Sequence, residues 1–87
     1  MRRKHKKTIE AIFAEPVKAN IVWKDVENML LSLGAYVEEA EGSRVCIELN
    51  NVIAVFHRPH PRKETDKGAV KSLRRFLIES GVDHVGI

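Results

Sequence analysis

The sequence predicts an α+β fold: a three-stranded antiparallel sheet with two helices on one face, preceded by one more helix at the N-terminus. Apolar residues recur at steps of three and four in residues 20–34 and again in residues 65–81, which is typical of amphipathic helices. Between these stretches the apolar period changes to two, as it does in strands that bury one face. A chain of 87 residues supports one modest core, so we expect these elements to pack together.

The N-terminal helix is predicted over residues 3–14, ending before Pro16. We expect it to be an appendage to the core. Residues 1–7 contain five lysines or arginines and no acidic residue. We therefore divide the chain into an N-terminal basic helical extension, residues 1–19, and a main domain, residues 20–87.

The two helices of the main domain have recognisable ends. Asn20 is the predicted N-cap of the first helix, and Gly34 supplies its C-terminal stop. Thr65 or Asp66 is expected to cap the second helix, which Gly81 ends. Both helices therefore have defined lengths before any tertiary contact is considered.

Three strands follow one another between these helices. Residues 36–37 open the first strand, and alternating apolar residues mark the second over residues 44–49. Residues 50–51 are both asparagine, which tolerates positive φ and suits a two-residue hairpin turn. The third strand, VIAVF, should end near His57, because the two prolines that follow cannot donate to a sheet ladder. The result is an antiparallel meander with one face left open by the helices.

Charge is segregated along the chain. Residues 57–75 contain seven basic and two acidic groups, whereas residues 8–56 contain three basic and eight acidic groups. Together with residues 1–7, this pattern suggests a basic surface suited to a polyanion. The alternative is a set of solvated helix faces and a basic tail, and charge alone does not separate the two.

Several classes of protein are disfavoured by composition. The start MRRKHKK is not followed by an apolar segment, and no apolar run reaches the roughly 20 residues of a membrane span, so we expect a cytoplasmic chain without membrane contact. The single Cys46 cannot form an internal disulfide and is expected to be a small core residue. We expect no metal, because one cysteine and two nearby histidines do not make a tetrahedral site. No phosphate-binding glycine loop is present, and no small-molecule cofactor is expected.

Metal-free cleavage of RNA needs neither a metal site nor a phosphate-binding glycine loop. It requires one group to remove the proton of the ribose 2′-hydroxyl and one to protonate the leaving oxygen, and histidine suits both steps near neutral pH. His57 and His60 are the candidates, with Arg58, Arg62 and Lys63 beside them to hold the phosphate. The alternative is that His60 only makes a hydrogen bond in the loop. His5 and His84 lie near the chain ends and carry less weight.

The last helix carries further cations. Lys67, Lys71, Arg74 and Arg75 lie away from its apolar stripe and are predicted to span phosphates of structured RNA. With five aromatic residues, most of them on apolar stripes, stacking of single-stranded bases is poorly supported.

The order of several short motifs resembles the HicA toxin family. They are Leu33-Gly34-Ala35, Gly42-Ser43, His60-Pro61 and Lys67-Gly68 with the leucines that follow. The resemblance extends over roughly residues 20–82 and implies that the main domain has the α-β-β-β-α fold of double-stranded-RNA-binding domains. It also implies an mRNA-cleaving toxin that binds mRNA, arrests translation and is neutralised by a HicB-like antitoxin.

The sequence departs from that family at one position. The resemblance implies a catalytic histidine at or close after the Gly-Ser of the hairpin, but here Arg44 follows Ser43. Arginine stays protonated near neutral pH and cannot act as a general base, although it can bind phosphate. Either catalysis depends on His57 or His60, or the chain binds RNA or an antitoxin without cutting. A third possibility is an interaction domain whose basic face docks an acidic protein.

Overall fold

The computed structural model describes residues 1–82 and has the predicted order of elements. The helices are α1 (Arg3–Phe13), α2 (Trp23–Ser32) and α3 (Lys67–Glu79). The strands are β1 (Tyr36–Glu39), β2 (Arg44–Leu49) and β3 (Val52–His57). They form one antiparallel sheet in the order β1-β2-β3. The α+β class, with its α-β-β-β-α core and additional N-terminal helix, is confirmed.

One face of the sheet is covered by the helices. Phe56 of β3 shows how the layers meet, because its ring lies 5.9 Å from that of Trp23 in α2 and 5.7 Å from that of Phe76 in α3, centroid to centroid. Val45 and Ile47 of β2 are fully buried on the same side. The core therefore lies between the sheet and the helices, as the alternation in β2 predicts.

The opposite side of the sheet, which we call the open face, has no helix over it. Its residues follow from the strand register and the alternation of side chains: Tyr36, Glu38, Arg44, Cys46, Glu48, Ile53, Val55 and His57. The expectation that Cys46 is a core residue is wrong. It lies between Val45 and Ile47, so the two-residue period places it on the open face, where it is half-buried.

The predicted hairpin turn is confirmed. Asn50 and Asn51 have φ values of 51° and 70°, the left-handed conformation that a tight two-residue turn needs. The side-chain amide of Asn50 also donates a 2.7 Å hydrogen bond to the carbonyl of Ser80, after the end of α3. The turn therefore sets the register of β2 against β3 and fastens the hairpin to the last helix.

The prediction that Asn20 caps α2 is wrong. The residue before the helix is Val22, and no side chain caps it. The backbone N–H of Trp23 donates instead to the carbonyl of Lys63, at 2.9 Å. A neighbouring chain segment thus satisfies a helix-end donor that the sequence assigned to a side chain.

The N-terminal helix contributes to the core rather than standing apart from it. Ile9 and Ile12 are fully buried. The guanidinium of Arg74 on α3 donates to the carbonyls of Ile12 and Ala14 and pairs with Glu15 at 2.5 Å. Arg74 therefore binds the C-terminal end of α1, where the helix dipole favours a cation. It was predicted to contact RNA phosphate, but its guanidinium is already occupied by these contacts within the chain. The division between residues 1–19 and 20–87 stays a prediction.

Candidate functional site

The position that lacks the expected histidine faces another histidine across the sheet. Arg44, the first residue of β2, is the register partner of His57, the last residue of β3, and both are exposed. The next pair along the two strands is Ser43 with Arg58, and the N–H of Arg58 donates a hydrogen bond to the carbonyl of Ser43 at 2.8 Å. Arg44 and His57 therefore form a non-hydrogen-bonded pair, the type in which facing side chains come closest, with Cβ atoms about 4.5–5.5 Å apart.

A surface depression brings the second histidine to the same place. It has a volume of about 280 Å³ and is lined by residues that include His57, His60 and Arg62, together with Glu64 and Asp66. This volume is near the lower end of the range of small-molecule pockets, about 300–1,000 Å³. Two histidines thus share one opening with two arginines, Arg58 and Arg62, and two acidic residues.

The loop that carries His60 is anchored at both ends. At its start, the N–H of Arg58 is bonded to Ser43, and at its end the N–H of Thr65 donates to the carbonyl of Ile21 at 2.8 Å. Thr65 is 2% exposed, and its hydroxyl donates to the same carbonyl at 3.1 Å. The loop is therefore held by backbone contacts although most of its side chains are exposed. The anchoring fixes the path of the backbone, from which His60 and Arg62 extend as exposed side chains.

Arg58 makes a set of ion pairs between three elements. Its Nε and Nη2 donate to the two carboxylate oxygens of Glu27 on α2, at 2.7 and 3.1 Å, and its Nη1 donates to Glu39 on β1 at 2.8 Å. The indole N–H of Trp23 donates to the same Glu27 carboxylate. We call Glu27, Arg58 and Glu39 the arginine clamp. Arg58 was predicted to contact RNA phosphate, and the structure places its guanidinium against two carboxylates of the chain itself.

The clamp changes the acid-base behaviour of its members. Burial raises the pKa of Glu27, but hydrogen bonds from Arg58 and Trp23 and the charge of Arg58 together lower that pKa below its ordinary value. The hydrogen bonds to Glu27 and Glu39 raise the pKa of Arg58 above its already high value. Both groups are thus held in their charged forms.

Sequence reasoning missed Glu27, although a signal was present. Glu27 is four residues after Trp23 and three before Leu30, so it lies on the apolar stripe of α2. A carboxylate on such a stripe needs a cationic partner, because an unpaired buried charge is costly. The identity of that partner was not readable, since Arg58 is 31 residues away in the chain.

The predicted RNA-binding lysines lie on α3 and in the loop before it. Asp66 caps the helix, accepting a 2.7 Å hydrogen bond from the N–H of Ala69, which decides between the two predicted caps. Lys67 and Lys71 follow one helical turn apart, and both are exposed. Lys63 is exposed in the loop. Lys67 and Lys71 are each two residues from Ala69, which lines the depression, so they lie on a different side of α3 from it.

The remaining predictions concern a metal site, the two histidines near the chain ends and a membrane span. Within residues 1–82, no group of three or more His, Cys, Asp or Glu side chains is arranged to hold a metal ion. His5 lies on α1, half-buried and away from the depression, and its Nδ1 has no hydrogen-bond partner. His84 is outside the described residues. None of the helices in that described part is long and apolar enough to cross a membrane.

Comparison with known families adds an independent observation. The family model described as HicA toxin of bacterial toxin-antitoxin matches residues 23–82, more than half of the chain. The chain belongs to the HicA toxin family. No curated protein and no solved structure gives a significant match.

Membership of the HicA family places the described site in context. The chain is the toxin of a toxin-antitoxin system, and the family acts on RNA and pairs with an antitoxin. The match runs from the first residue of α2 to Val82, so it contains the arginine clamp, α3 and the lining of the depression except Ala19, but not α1. Arg44, at the position where the resemblance implies a histidine, has His57 as its partner across the strands.

Proposed function

We propose that the chain binds mRNA and cleaves it without a metal ion, thereby arresting translation in the cytoplasm. The observation that carries the proposal is the pairing of Arg44 with His57 at the edge of a depression that also contains His60. In this arrangement an imidazole stands directly beside the position where the family has its histidine. On this proposal, His57 on the neighbouring strand takes the proton-transfer role that the family assigns to a histidine at residue 44.

The proposed chemistry is a transfer of the phosphate to the ribose 2′-oxygen. One imidazole accepts the 2′-hydroxyl proton as that oxygen attacks phosphorus, and the other donates a proton to the departing 5′-oxygen. The bond from phosphorus to the 5′-oxygen breaks, which leaves a 2′,3′-cyclic phosphate and a free 5′-hydroxyl. Arg44 and Arg62 are the cations placed to bind the phosphate oxygens and offset charge in the transition state.

The lysines are proposed to hold the rest of the RNA. Lys63 is exposed in the loop, and Lys67 and Lys71 are exposed one turn apart on α3, where they would supply phosphate contacts that carry no sequence information. Arg58 is proposed to act through the clamp, as a positioning residue for the loop, because its donors already contact Glu27 and Glu39.

A second candidate function follows from Arg44 itself. A HicA-like chain that has lost its histidine would bind RNA or the antitoxin without cutting, since arginine cannot replace a general base. Purified protein that retards RNA in a gel without shortening it would favour this function. Loss of an intact substrate band at matched protein concentrations would favour cleavage.

Growth is the first readout of the proposed function. Expression of the full chain should arrest growth and protein synthesis, and His60→Ala should relieve the arrest while leaving the chain folded. Lys18→Ala, an exposed substitution outside the depression, is the matched control and should arrest growth as the wild type does. Equal toxicity of the wild type and His60→Ala would contradict the role of His60.

A further inference from the structure

A second depression, which we call the N-terminal groove, lies between α1 and the start of α2. It has a volume of about 330 Å³. Its lining includes Lys4, Lys7 and Thr8 of α1, together with Asn20 and Asp25 before and within α2. The family match begins at the first residue of α2, so the α1 side of this groove lies outside the matched part of the chain.

Three cations of α1 lie in or beside the groove. Lys4 and Lys7 line it one helical turn apart, and Arg3 is one turn before Lys7. All three are exposed. Lys4 pairs with Asp25 at 3.5 Å, whereas Arg3 and Lys7 make no ion pair within residues 1–82. In that part of the chain, these two charges are available to an external anion.

The cations at the start of α1 do not stabilise the helix. The helix dipole has its positive end at the N-terminus, where acidic residues are favourable and cations are not. The first turn of α1 has no acidic residue, and the residue before it, Arg2, makes no capping hydrogen bond with its side chain. A binding role therefore accounts for Arg3 and Lys4 better than a role in folding does.

The groove is close to the depression that contains the two histidines. Ala19 lines the depression and Asn20 lines the groove, so one segment of chain separates them. That segment is held in place, because the N–H and the hydroxyl of Thr65 both donate to the carbonyl of Ile21, at 2.8 and 3.1 Å. Consecutive Cα atoms are only about 3.8 Å apart. A polyanion in the depression therefore has to cross only this segment to reach α1.

We propose that the N-terminal groove, with Arg3, Lys4 and Lys7, is a second phosphate-binding site, which holds RNA beyond the depression. Asp25 also lines the groove, but its pairing with Lys4 offsets its charge. Lysine and arginine bind phosphate oxygens without reading the bases, so the site adds affinity for long RNA and no sequence preference. The inference rests on the proposed function in taking RNA as the ligand, but binding at α1 requires no cleavage.

Binding of a 2′-O-methyl RNA oligonucleotide to the purified full chain tests this proposal, because a blocked 2′-oxygen prevents the proposed cleavage. Lys7→Gln should weaken binding roughly fivefold at about 0.1 M salt and lower the slope of log K against log salt by about 0.7–0.9, the loss of one phosphate contact. Adding Arg3→Gln should about double the change in slope, since Arg3 contacts a second phosphate.

The controls separate a contact from a change in net charge or in folding. Lys24→Gln removes one exposed cation that lines neither the groove nor the depression, and it should bind the oligonucleotide as the wild type does. Lys7→Arg keeps the charge and should also keep the affinity. In urea titration, Arg3→Gln/Lys7→Gln should be at least as stable as the wild type, because it relieves an unfavourable charge at the start of α1.

Equal affinity and equal salt slope of Lys7→Gln and the wild type would overturn the proposal. So would an equal loss in Lys24→Gln, which would reflect net charge alone, or in Lys7→Arg, which would reflect shape. Loss of antitoxin binding with unchanged RNA affinity would assign the groove to a protein and overturn it as well. A wild type whose binding depends on Lys7 but which leaves unmodified RNA intact would uphold this inference while the proposed cleavage fails.

Discussion

His57→Ala should lower the rate of RNA cleavage by about 100-fold or more, and adding Arg44→His to the same chain should recover part of that rate. The loss follows from removing a general acid-base group, which typically contributes two to four orders of magnitude. The recovery follows from the register, because residues 44 and 57 are directly opposite on the open face. An imidazole at residue 44 would then stand within reach of the same substrate atoms.

The variants needed for this test differ in one or two side chains. Arg44→His alone keeps His57 and should change the rate by less than about tenfold, the loss of one phosphate contact. Initial rates on a defined RNA, measured for the four chains under identical conditions, decide the outcome. A folded double variant no more active than His57→Ala would show that the two positions are not interchangeable.

Arg58→Ala should lower the free energy of unfolding by about 2–3 kcal/mol. The substitution leaves Glu27, whose side chain is 17% exposed, without its cationic partner and with only the indole N–H of Trp23 as a donor. Urea titration of the wild type and the variant measures the difference. Arg75→Ala, on the exposed side of α3, is the control and should change stability by no more than about 0.5 kcal/mol. Equal stability of Arg58→Ala and the wild type would contradict a stabilising clamp.

The clamp also predicts how stability depends on pH. Because the pKa of Glu27 is lower in the folded chain than its ordinary value of 4.5, the folded state favours the carboxylate. Its contribution is present in full above the pKa of the unfolded chain and is lost as the pH falls through the lower pKa of the folded chain. Glu27→Gln should therefore be less stable than the wild type near neutral pH and lose less stability on acidification. Parallel pH profiles for the two chains would contradict this linkage.

The pairing at the candidate site could be predicted from the sequence by counting. Once residues 50–51 are recognised as a two-residue turn, successive pairs outward along the strands follow, and they include Arg44 with His57. The turn is readable because two asparagines in succession favour positive φ. The helix stops are readable for a similar local reason, since Gly34 and Gly81 have φ values of 93° and 83°.

The contacts between helices could not be predicted in this way. Arg58 and Arg74 belong to the same basic stretch, yet one pairs with α2 and β1 and the other with the end of α1. Both were predicted to contact phosphate. A local pattern gives the side of an element on which a cation lies, but not which carboxylate or carbonyl group another element brings to that side. The same limit explains the N-terminus of α2, where the backbone of Lys63 took the place of a side-chain cap.

The most direct test of metal-free cleavage is the analysis of RNA ends after incubation with the purified chain in excess EDTA. We expect wild-type protein to shorten a defined RNA and leave 2′,3′-cyclic phosphate and 5′-hydroxyl ends, while His57→Ala/His60→Ala binds the same RNA and leaves it intact. An RNA that is bound by the wild type and stays intact in EDTA, or that is cut equally by the double variant, would contradict the account.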